Sequence, residues 1–125
     1  MSSRRILIVD DEASIRESLA EFLRDYHVNT ETASDAEEAL EMLAADDTFD
    51  LLLVDLRLPG MSGEQLILKA HQLKPELRFL IHTGSIDYRL SNALITLGLS
   101  SKQIIQKPLT DLSSLIDKIE ELFKA

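Results

Sequence analysis

Short apolar runs alternate with amphipathic stretches along the whole sequence, and this alternation limits the possible folds more than any other feature. The first apolar run is residues 6–9, and in the stretch after it Ile15, Leu19 and Leu23 fall on one face of a helix. This pattern predicts a strand followed by a helix. Because the pair occurs five times in all, the sequence predicts an α/β domain in which right-handed crossover helices cover both faces of a parallel sheet.

Apolar runs, capping residues and apolar stripes predict the remaining elements. Strands are expected at Val28 to Thr32, 51–54, 79–82 and 104–105. Two pairs have the spacing of a capping box, Ser34 with Glu37 and Ser62 with Gln65. We therefore expect the second and third helices to begin at these serines. The fourth helix is striped by Leu90, Leu94 and Leu97 and ends at Gly98, and the fifth is striped by Leu112, Leu115, Ile116, Ile119, Leu122 and Phe123.

The length and composition are those of one globular domain. The chain has 125 residues, of which 45% are hydrophobic and 28% are charged. No apolar run approaches the roughly 20 residues that a membrane-spanning helix requires. The apolar run after the first five residues is also too short for the hydrophobic region of a secretory signal. We expect a cytoplasmic protein.

Charge and cysteine content restrict the kind of site that the chain can form. It contains no cysteine, which excludes disulfides, thiolate nucleophiles and thiolate metal ligands. The net charge of -9, with scattered basic residues, disfavours binding to nucleic acid. The three histidines lack the spacing of metal ligands. Any metal should therefore be held by oxygen atoms, and cationic, metal-ion or protein partners fit this chain better than nucleic acid.

Carboxylates follow two of the predicted strands. Asp10, Asp11 and Glu12 come after the first strand, and Asp55 ends the third. If these strands are neighbours, the like charges repel one another, and a hard cation such as Mg2+, which prefers oxygen ligands, relieves the repulsion. Alternatively, Asp10 or Asp11 caps the first helix.

A hydroxyl and an ammonium group follow two further strands. Thr83 ends the fourth strand and Lys107 follows the fifth. With Asp55 as nucleophile, Mg2+ on the carboxylates, and Thr83 and Lys107 as ligands of the phosphoryl oxygens, this set fits phosphoryl transfer to an aspartate. Taken alone, Asp55 is more typical of a turn residue.

Four motifs together resemble the response-regulator receiver family of two-component systems, which is CheY-like. They are Val9-Asp10-Asp11-Glu12, Asp55-Leu56-Arg57-Leu58-Pro59-Gly60-Met61-Ser62-Gly63, Thr83-Gly84 and Lys107-Pro108, in the order that the family has them. The resemblance implies one receiver domain over residues 4–124, with no output domain visible. It also implies a flavodoxin-like sheet of five strands in the order 2-1-3-4-5 with five helices.

The resemblance also implies a role for each site residue. Asp55 would accept the phosphoryl group from a sensor histidine kinase or a phosphotransfer protein, and Thr83 and Lys107 would assist. Asp11 and Asp55 would bind Mg2+ directly, Asp10 through water, and Arg57 through its backbone carbonyl. The domain would be a signalling switch and not an enzyme, although it assists its own phosphorylation and dephosphorylation. The Lys107-Pro108 peptide would be cis, unless Pro108 simply begins the last helix.

The sequence departs from the family before the fifth strand. The segment 99–106 is about two residues longer than usual, and Ile104 stands where the family has an aromatic residue. We expect Ile104 to be a core residue. The face formed by the fourth helix, fifth strand and fifth helix would still contact a downstream target or a second copy of the domain. We expect His82 to point away from Thr83 and to be packed and hydrogen-bonded.

Two other functions fit parts of the pattern. A receiver that binds partners without using phosphate is compatible with the altered fifth-strand region. A Mg2+-dependent phosphohydrolase with an aspartyl nucleophile, as in haloacid-dehalogenase-like enzymes, would need a second aspartate two residues after Asp55. This chain has Arg57 at that position.

Overall fold

The computed structural model describes residues 4–85, 87–107 and 111–123, and in them five strands alternate with five helices. The elements are β1 (Arg5–Val9), α1 (Ala13–Asp25), β2 (Asn29–Ala33), α2 (Ala36–Ala45), β3 (Leu51–Asp55), α3 (Gly63–Leu73), β4 (Arg78–Thr83), α4 (Asn92–Thr96), a 3-10 turn (Ser101–Gln103), β5 (Ile104–Gln106) and α5 (Ser113–Leu122). Among the helices of these ranges, none has the length and hydropathy of a membrane span. The predicted alternation is confirmed.

The strands form one parallel sheet in the order β2-β1-β3-β4-β5. This is the order that the family resemblance implies. Val9 of β1 pairs with Val54 of β3, and Asp55 pairs with His82 of β4. The carboxyl ends of β1, β3 and β4 therefore lie side by side.

Two apolar cores lie on opposite faces of the sheet, because successive strand residues point to opposite sides. Leu7 and Leu52 belong to the core under α2, α3 and α4. Ile6 and Leu51 belong to the core under α1 and α5. Strands buried on both faces read as continuous apolar runs, which explains the pattern of the sequence.

The two predicted capping boxes have different outcomes. Ser62 and Gln65 form the predicted box at the start of α3, with each side chain bound to the other residue's backbone N–H. The prediction for Ser34 and Glu37 is wrong by one residue. Helix α2 begins at Ala36 and its N-cap is Asp35, whose Oδ1 accepts a hydrogen bond of 2.8 Å from the Glu38 N–H.

The region from α4 to β5 is less regular than the sequence suggests. Helix α4 has only five residues, and Leu90 lies before its N-cap, Ser91. Gly98 has a φ of 101° and ends the helix region as predicted. The longer segment before β5 contains the 3-10 turn, and Ile104 is only half-buried. The expectation that Ile104 is a core residue is therefore wrong.

At the amino ends of the strands, basic side chains connect the sheet to the end of α5. The guanidinium groups of Arg4 and Arg78 lie 4.2 and 4.7 Å from the centre of the Phe123 ring. Arg78 also donates a hydrogen bond to the Leu122 carbonyl. We call this group the basal clamp, and it lies at the edge of the sheet opposite Asp55.

Candidate functional site

Three side chains of the predicted site are buried at the carboxyl edge of the sheet. Asp10 follows β1 and is 2% exposed, Asp55 ends β3 and is 5% exposed, and Thr83 ends β4 and is 2% exposed. Each is held by the strand that it follows or ends. The apolar strands thus fix polar groups at one edge, as expected for parallel sheets of this kind.

Four carboxylates converge at this edge. Asp10, Asp11, Glu12 and Asp55 each offer an oxygen atom, and these oxygens all lie within 4.8 Å of one another. Asp10 and Asp55 are buried, whereas Asp11 and Glu12 are exposed. Crowded carboxylate oxygens of this kind suit a hard divalent cation such as Mg2+.

The alternative that Asp10 or Asp11 caps α1 is wrong. The N-cap residue of α1 is Glu12, and no side chain makes a capping hydrogen bond there. Instead, Asp10 Oδ1 accepts a hydrogen bond of 2.9 Å from the Glu12 N–H, which leaves Oδ2 facing Lys107. Asp10 therefore organises the turn that follows β1 and leaves the helix end uncapped.

Lys107 connects the carboxylates. Its Nζ lies 3.3 Å from Asp10 Oδ2, 3.3 Å from Asp55 Oδ2 and 3.6 Å from Glu12 Oε1. Its own N–H donates a hydrogen bond of 2.7 Å to the Thr83 carbonyl, which fixes its backbone beside β4. Burial opposes the charge of the ammonium group, but Asp10 and Asp55 outweigh this effect and raise the pKa of Lys107.

The environment of Asp55 is unfavourable for its negative charge. Burial raises its pKa above the usual value of an aspartate, and the charge of Asp10 acts in the same direction. A hydrogen bond of 3.2 Å from the Arg57 N–H to Oδ1 and the charge of Lys107 only partly compensate. An added cation or the removal of one negative charge would therefore lower the free-energy cost of the charge on Asp55.

Thr83 connects the site to the β4–α4 loop. Its Oγ1 accepts a hydrogen bond of 3.1 Å from the N–H of Ser85. The Gln106 side chain donates a longer bond, 3.4 Å, to the Ser85 carbonyl. Any movement of the Thr83 hydroxyl must therefore disturb the start of this loop.

Gly63 brings the first turn of α3 against the backbone of the phosphoacceptor candidate. A Cβ atom at this position would lie 2.5 Å from the Asp55 carbonyl oxygen and 2.8 Å from Leu56 Cα. The Gly63 N–H donates a hydrogen bond of 3.1 Å to the Leu56 carbonyl. The start of α3 and the end of β3 therefore form one closely packed unit.

His82 agrees with its prediction only in part. It is 4% exposed and, by strand alternation, faces the side of the sheet opposite Thr83. However, neither ring nitrogen has a hydrogen-bond partner in the part of the chain that the structure describes. Burial lowers the pKa of His82 to about 4, so the ring is neutral at pH 7.

Some features of the site differ from the expectation or lie beyond it. Glu12 joins the carboxylates although the expected ligand set does not include it, and its place beside Asp10 and Asp11 in the sequence is a visible signal. No sequence signal indicated that the Tyr88 hydroxyl and a Glu64 carboxylate oxygen are both enclosed, because that arrangement depends on loop packing. Pro108, and with it the expected cis peptide, lies outside the described residues.

Comparison with known proteins identifies relatives over most of the chain. The family profile described as "Response regulator receiver domain" matches residues 6–120. The response regulator protein PilR of Pseudomonas aeruginosa is 42% identical over 89 residues, which are 70% of this chain and 20% of that protein. The response regulator MprA of Mycobacterium ulcerans is 30% identical over 122 residues, which are 98% of this chain and 51% of that protein. The chain thus spans about half or less of these relatives.

A solved structure has the same fold. It is a CheY-like response regulator receiver domain protein from Methanospirillum hungatei JF-1, with a TM-score of 0.81 and 35% sequence identity. The alignment covers 97% of this chain and 94% of that protein.

Proposed function

Since this chain belongs to the response regulator receiver domain family, we propose that it is a phosphoacceptor switch in which Asp55 receives the phosphoryl group. The position of Lys107, 3.3 Å from both Asp10 and Asp55 within a group of four carboxylates, is the observation that supports this assignment best. A half-buried cation at a nucleophilic carboxylate serves phosphoryl transfer because it neutralises charge on the incoming group.

The reaction requires little chemistry from the protein beyond positioning. A carboxylate oxygen of Asp55 attacks the phosphorus of a phosphohistidine on the donor protein. The new oxygen–phosphorus bond forms as the phosphorus–nitrogen bond breaks, and the donor's ring nitrogen keeps the electron pair and takes up a proton. Lys107 and the Thr83 hydroxyl then bind the phosphoryl oxygens. Water later attacks the phosphorus, which releases phosphate and restores the Asp55 carboxylate.

Mg2+ is the proposed cofactor, with Asp11 and Asp55 as direct ligands, Asp10 as a ligand through water, and the Arg57 carbonyl as a further oxygen. When bound, Mg2+ neutralises charge on the carboxylates and on the phosphoryl group. The oxygens of Asp10, Asp11 and Asp55 lie close enough together to share one ion, which supports this ligand set. Glu12 lies in the same group and is a candidate for an outer ligand.

We propose a sensor histidine kinase or a phosphotransfer protein as the phosphoryl donor. The downstream partner is a target protein, an output domain or a second copy of this domain, contacted through α4, β5 and α5. The domain acts in the cytoplasm, where such donors present their phosphohistidine, and it turns over no other substrate. Ile95 on α4, which is 53% exposed, supports this face as the readout surface.

A phosphodonor assay tests the proposal. Purified protein is incubated with acetyl phosphate and Mg2+, and the intact mass is measured. We expect one phosphoryl group on the wild type and none on Asp55→Asn, and we expect EDTA to prevent the reaction. An unmodified wild type, or equal labelling of Asp55→Asn, would contradict the assignment.

A receiver that binds partners without phosphate is the second candidate, and the half-buried Ile104 in place of an aromatic residue favours it. In that case the same assay would show no phosphoryl group, and urea unfolding with and without Mg2+ would show no stabilisation by the metal. The phosphohydrolase alternative is not supported, because Arg57 occupies the position of the required second aspartate and is exposed.

A further inference from the structure

A cavity of about 520 Å3 lies between α1 and the residues that lead into α5. Its apolar lining comes from Leu19, which is buried, and from Ile15 and Leu112, which are half-buried. Ser14 and Ser18 on α1 also line it and are exposed, so the cavity opens to solvent on this side. Sites for small molecules are mostly apolar and have volumes of roughly 300 to 1,000 Å3. The cavity therefore has the size and the lining of such a site.

His82 gives this cavity an unpaired polar group. Leu80, two residues earlier on β4, belongs to the core under α1 and α5, so His82 faces the same side of the sheet, where it lines the cavity. The residue is 4% exposed, and neither ring nitrogen has a hydrogen-bond partner among the described residues. Unpaired buried polar atoms are rare and costly. A ligand that hydrogen-bonds to this ring would remove that cost.

Charges beside the cavity favour a neutral ligand. Lys107 lines the cavity, and its positive charge disfavours a cation there. Its Nζ already lies 3.3 Å from carboxylate oxygens of Asp10 and Asp55, so an anion would have to compete with these groups. A neutral imidazole offers one N–H donor and one acceptor nitrogen. An otherwise apolar molecule with a single hydroxyl or N–H group therefore matches the cavity.

We propose that this cavity binds a small neutral molecule that has an apolar body and one hydroxyl or N–H group, and that this group hydrogen-bonds to the His82 ring. Both ring nitrogens are shielded from solvent in the free protein, so the ring turns towards the cavity when the ligand enters. Side-chain rotamer changes of this kind are common on binding. Burial of the apolar body provides affinity, and His82 selects the polar group. Binding does not depend on phosphorylation of Asp55.

Phenol and toluene are the probes, because they are nearly equal in size and differ in the hydroxyl group that His82 would bind. Methyl NMR of labelled isoleucine and leucine and the ring nitrogen signals of histidine report binding. The chain has three histidines, and the spectrum of His82→Phe identifies the signal of His82. We expect phenol to shift the signals of Ile15, Leu112 and the His82 ring. The signals of His27 and His71, which do not line the cavity, should stay in place.

The role of His82 is measured by the ratio of two dissociation constants. Toluene is the more apolar probe, so the ratio within one protein mixes the hydrogen bond with the hydrophobic difference between the probes. Comparison of the ratio in wild type and His82→Phe removes that difference. We expect His82→Phe to shift the ratio in favour of toluene by about three- to tenfold, because only phenol loses a hydrogen bond.

A second variant locates the binding site. Ser18→Leu adds bulk at the open side of the cavity and should weaken binding of both probes by about fivefold or more. Glu17→Leu is the matched control, because Glu17 is the exposed neighbour of Ser18 on α1 and does not line the cavity. It should leave both dissociation constants unchanged. Both substitutions replace exposed residues, so both variants should fold.

Three results would overturn the proposal. The first is the absence of any shift at Ile15 and Leu112 up to phenol concentrations that begin to unfold the protein. The second is binding that persists unchanged in Ser18→Leu, which would place the probes elsewhere. The third is the same ratio of dissociation constants in wild type and His82→Phe, which would show that the ring does not hydrogen-bond to the ligand.

Discussion

The ionised side chain of Asp55 lowers the stability of the folded protein. The residue is almost fully buried, and burial together with Asp10 raises its pKa. At pH 7 the negative charge of Asp55 is therefore less favourable in the folded protein than in the unfolded chain. Lys107 offsets only part of this cost, and a bound cation would offset more.

We predict that Asp55→Asn stabilises the metal-free protein at pH 7 by about 1 kcal/mol. Urea unfolding in EDTA measures the effect, and Asp117→Asn on the exposed face of α5 is the control. The difference should shrink as the pH falls through the raised pKa of Asp55, because the native carboxyl then takes up a proton. Mg2+ should stabilise the wild type more than the variant. A variant less stable than the wild type in EDTA would contradict this reasoning.

His82 should make stability depend on pH. Its pKa is about 4 in the folded protein and 6.5 in the reference state, so the unfolded chain binds the extra proton. The full contribution is present above pH 6.5 and is lost as the pH falls towards 4. We predict that His82→Phe reduces the loss of stability between pH 7 and pH 5 by about 1 to 2 kcal/mol.

Urea unfolding at the two pH values measures this prediction. His27→Asn is the matched control, since His27 is exposed and has a φ of 63°, a conformation that asparagine tolerates. The control should keep the pH dependence of the wild type. An unchanged pH dependence in His82→Phe would show that other groups cause it.

At the residue scale, position along a strand made the main site residues predictable. Asp10, Asp55, Thr83 and Lys107 each end or follow a strand, and parallel strands bring these positions to one edge. That the His82 ring has no hydrogen-bond partner among the described residues was not predictable. Whether a buried nitrogen finds a donor or acceptor depends on side chains that are distant in sequence.

At the scale of elements, the start of α3 and the end of β3 behave as one unit because Gly63 lets them touch. We predict that Gly63→Ala destabilises the protein by about 3 kcal/mol or more and slows labelling of Asp55, since a Cβ atom would collide with backbone. Urea unfolding and the acetyl phosphate assay measure the two effects.

Gly84→Ala is the matched control for this change. Gly84 lies in the loop beside the site, and a Cβ atom there would meet nothing within 4 Å in the part of the chain that the structure describes. We expect it to change stability by less than about 1 kcal/mol. Equal losses in the two variants would show that the contact of Gly63 with Asp55 is not the cause.

The helix starts show what local pattern can and cannot determine. Ser34 with Glu37 and Asp35 with Glu38 have the same spacing, so the pattern permits two starts. The structure uses Asp35, which places Ala36, Ala39 and Leu43 against the sheet. Tertiary packing therefore determines which of the two equivalent local patterns begins the helix. The leucine stripe also does not determine where α4 begins, because Leu90, its first residue, lies in the loop before Ser91.

At the scale of the whole molecule, the basal clamp and the site lie at opposite edges of the sheet. We predict that Phe123→Leu destabilises the protein by about 1 to 2 kcal/mol, because two guanidinium groups lose their aromatic partner. Phosphorylation of Asp55 should not change. Urea unfolding and the intact-mass assay measure the two results.

Phe22→Leu is the control for the loss of ring area. Phe22 is also half-buried, but its ring lies 4.9 Å from that of Tyr26, and no guanidinium or ammonium group of the described residues lies over it. We expect a smaller loss than in Phe123→Leu. A loss of labelling in Phe123→Leu would contradict the separation of the two edges.

The fold class was predictable from residue pattern alone, whereas the strand order was not. Alternating runs such as residues 6–9 and 51–54 predict a parallel sheet, but several orders satisfy the same alternation. The order 2-1-3-4-5 came from the family resemblance. The half-buried position of Ile104 was not predictable either, because an edge strand of three residues offers little pattern.

The separation of the basal clamp from the carboxylates also has an evolutionary meaning. Five-residue strands place the two edges roughly 15 Å apart, and substitutions at that distance usually act independently. A lineage could therefore lose Asp55 or Lys107, give up phosphate, and keep the same scaffold intact. Descendants of such a domain could change the residues around the carboxylates without losing the packing of the arginines on Phe123.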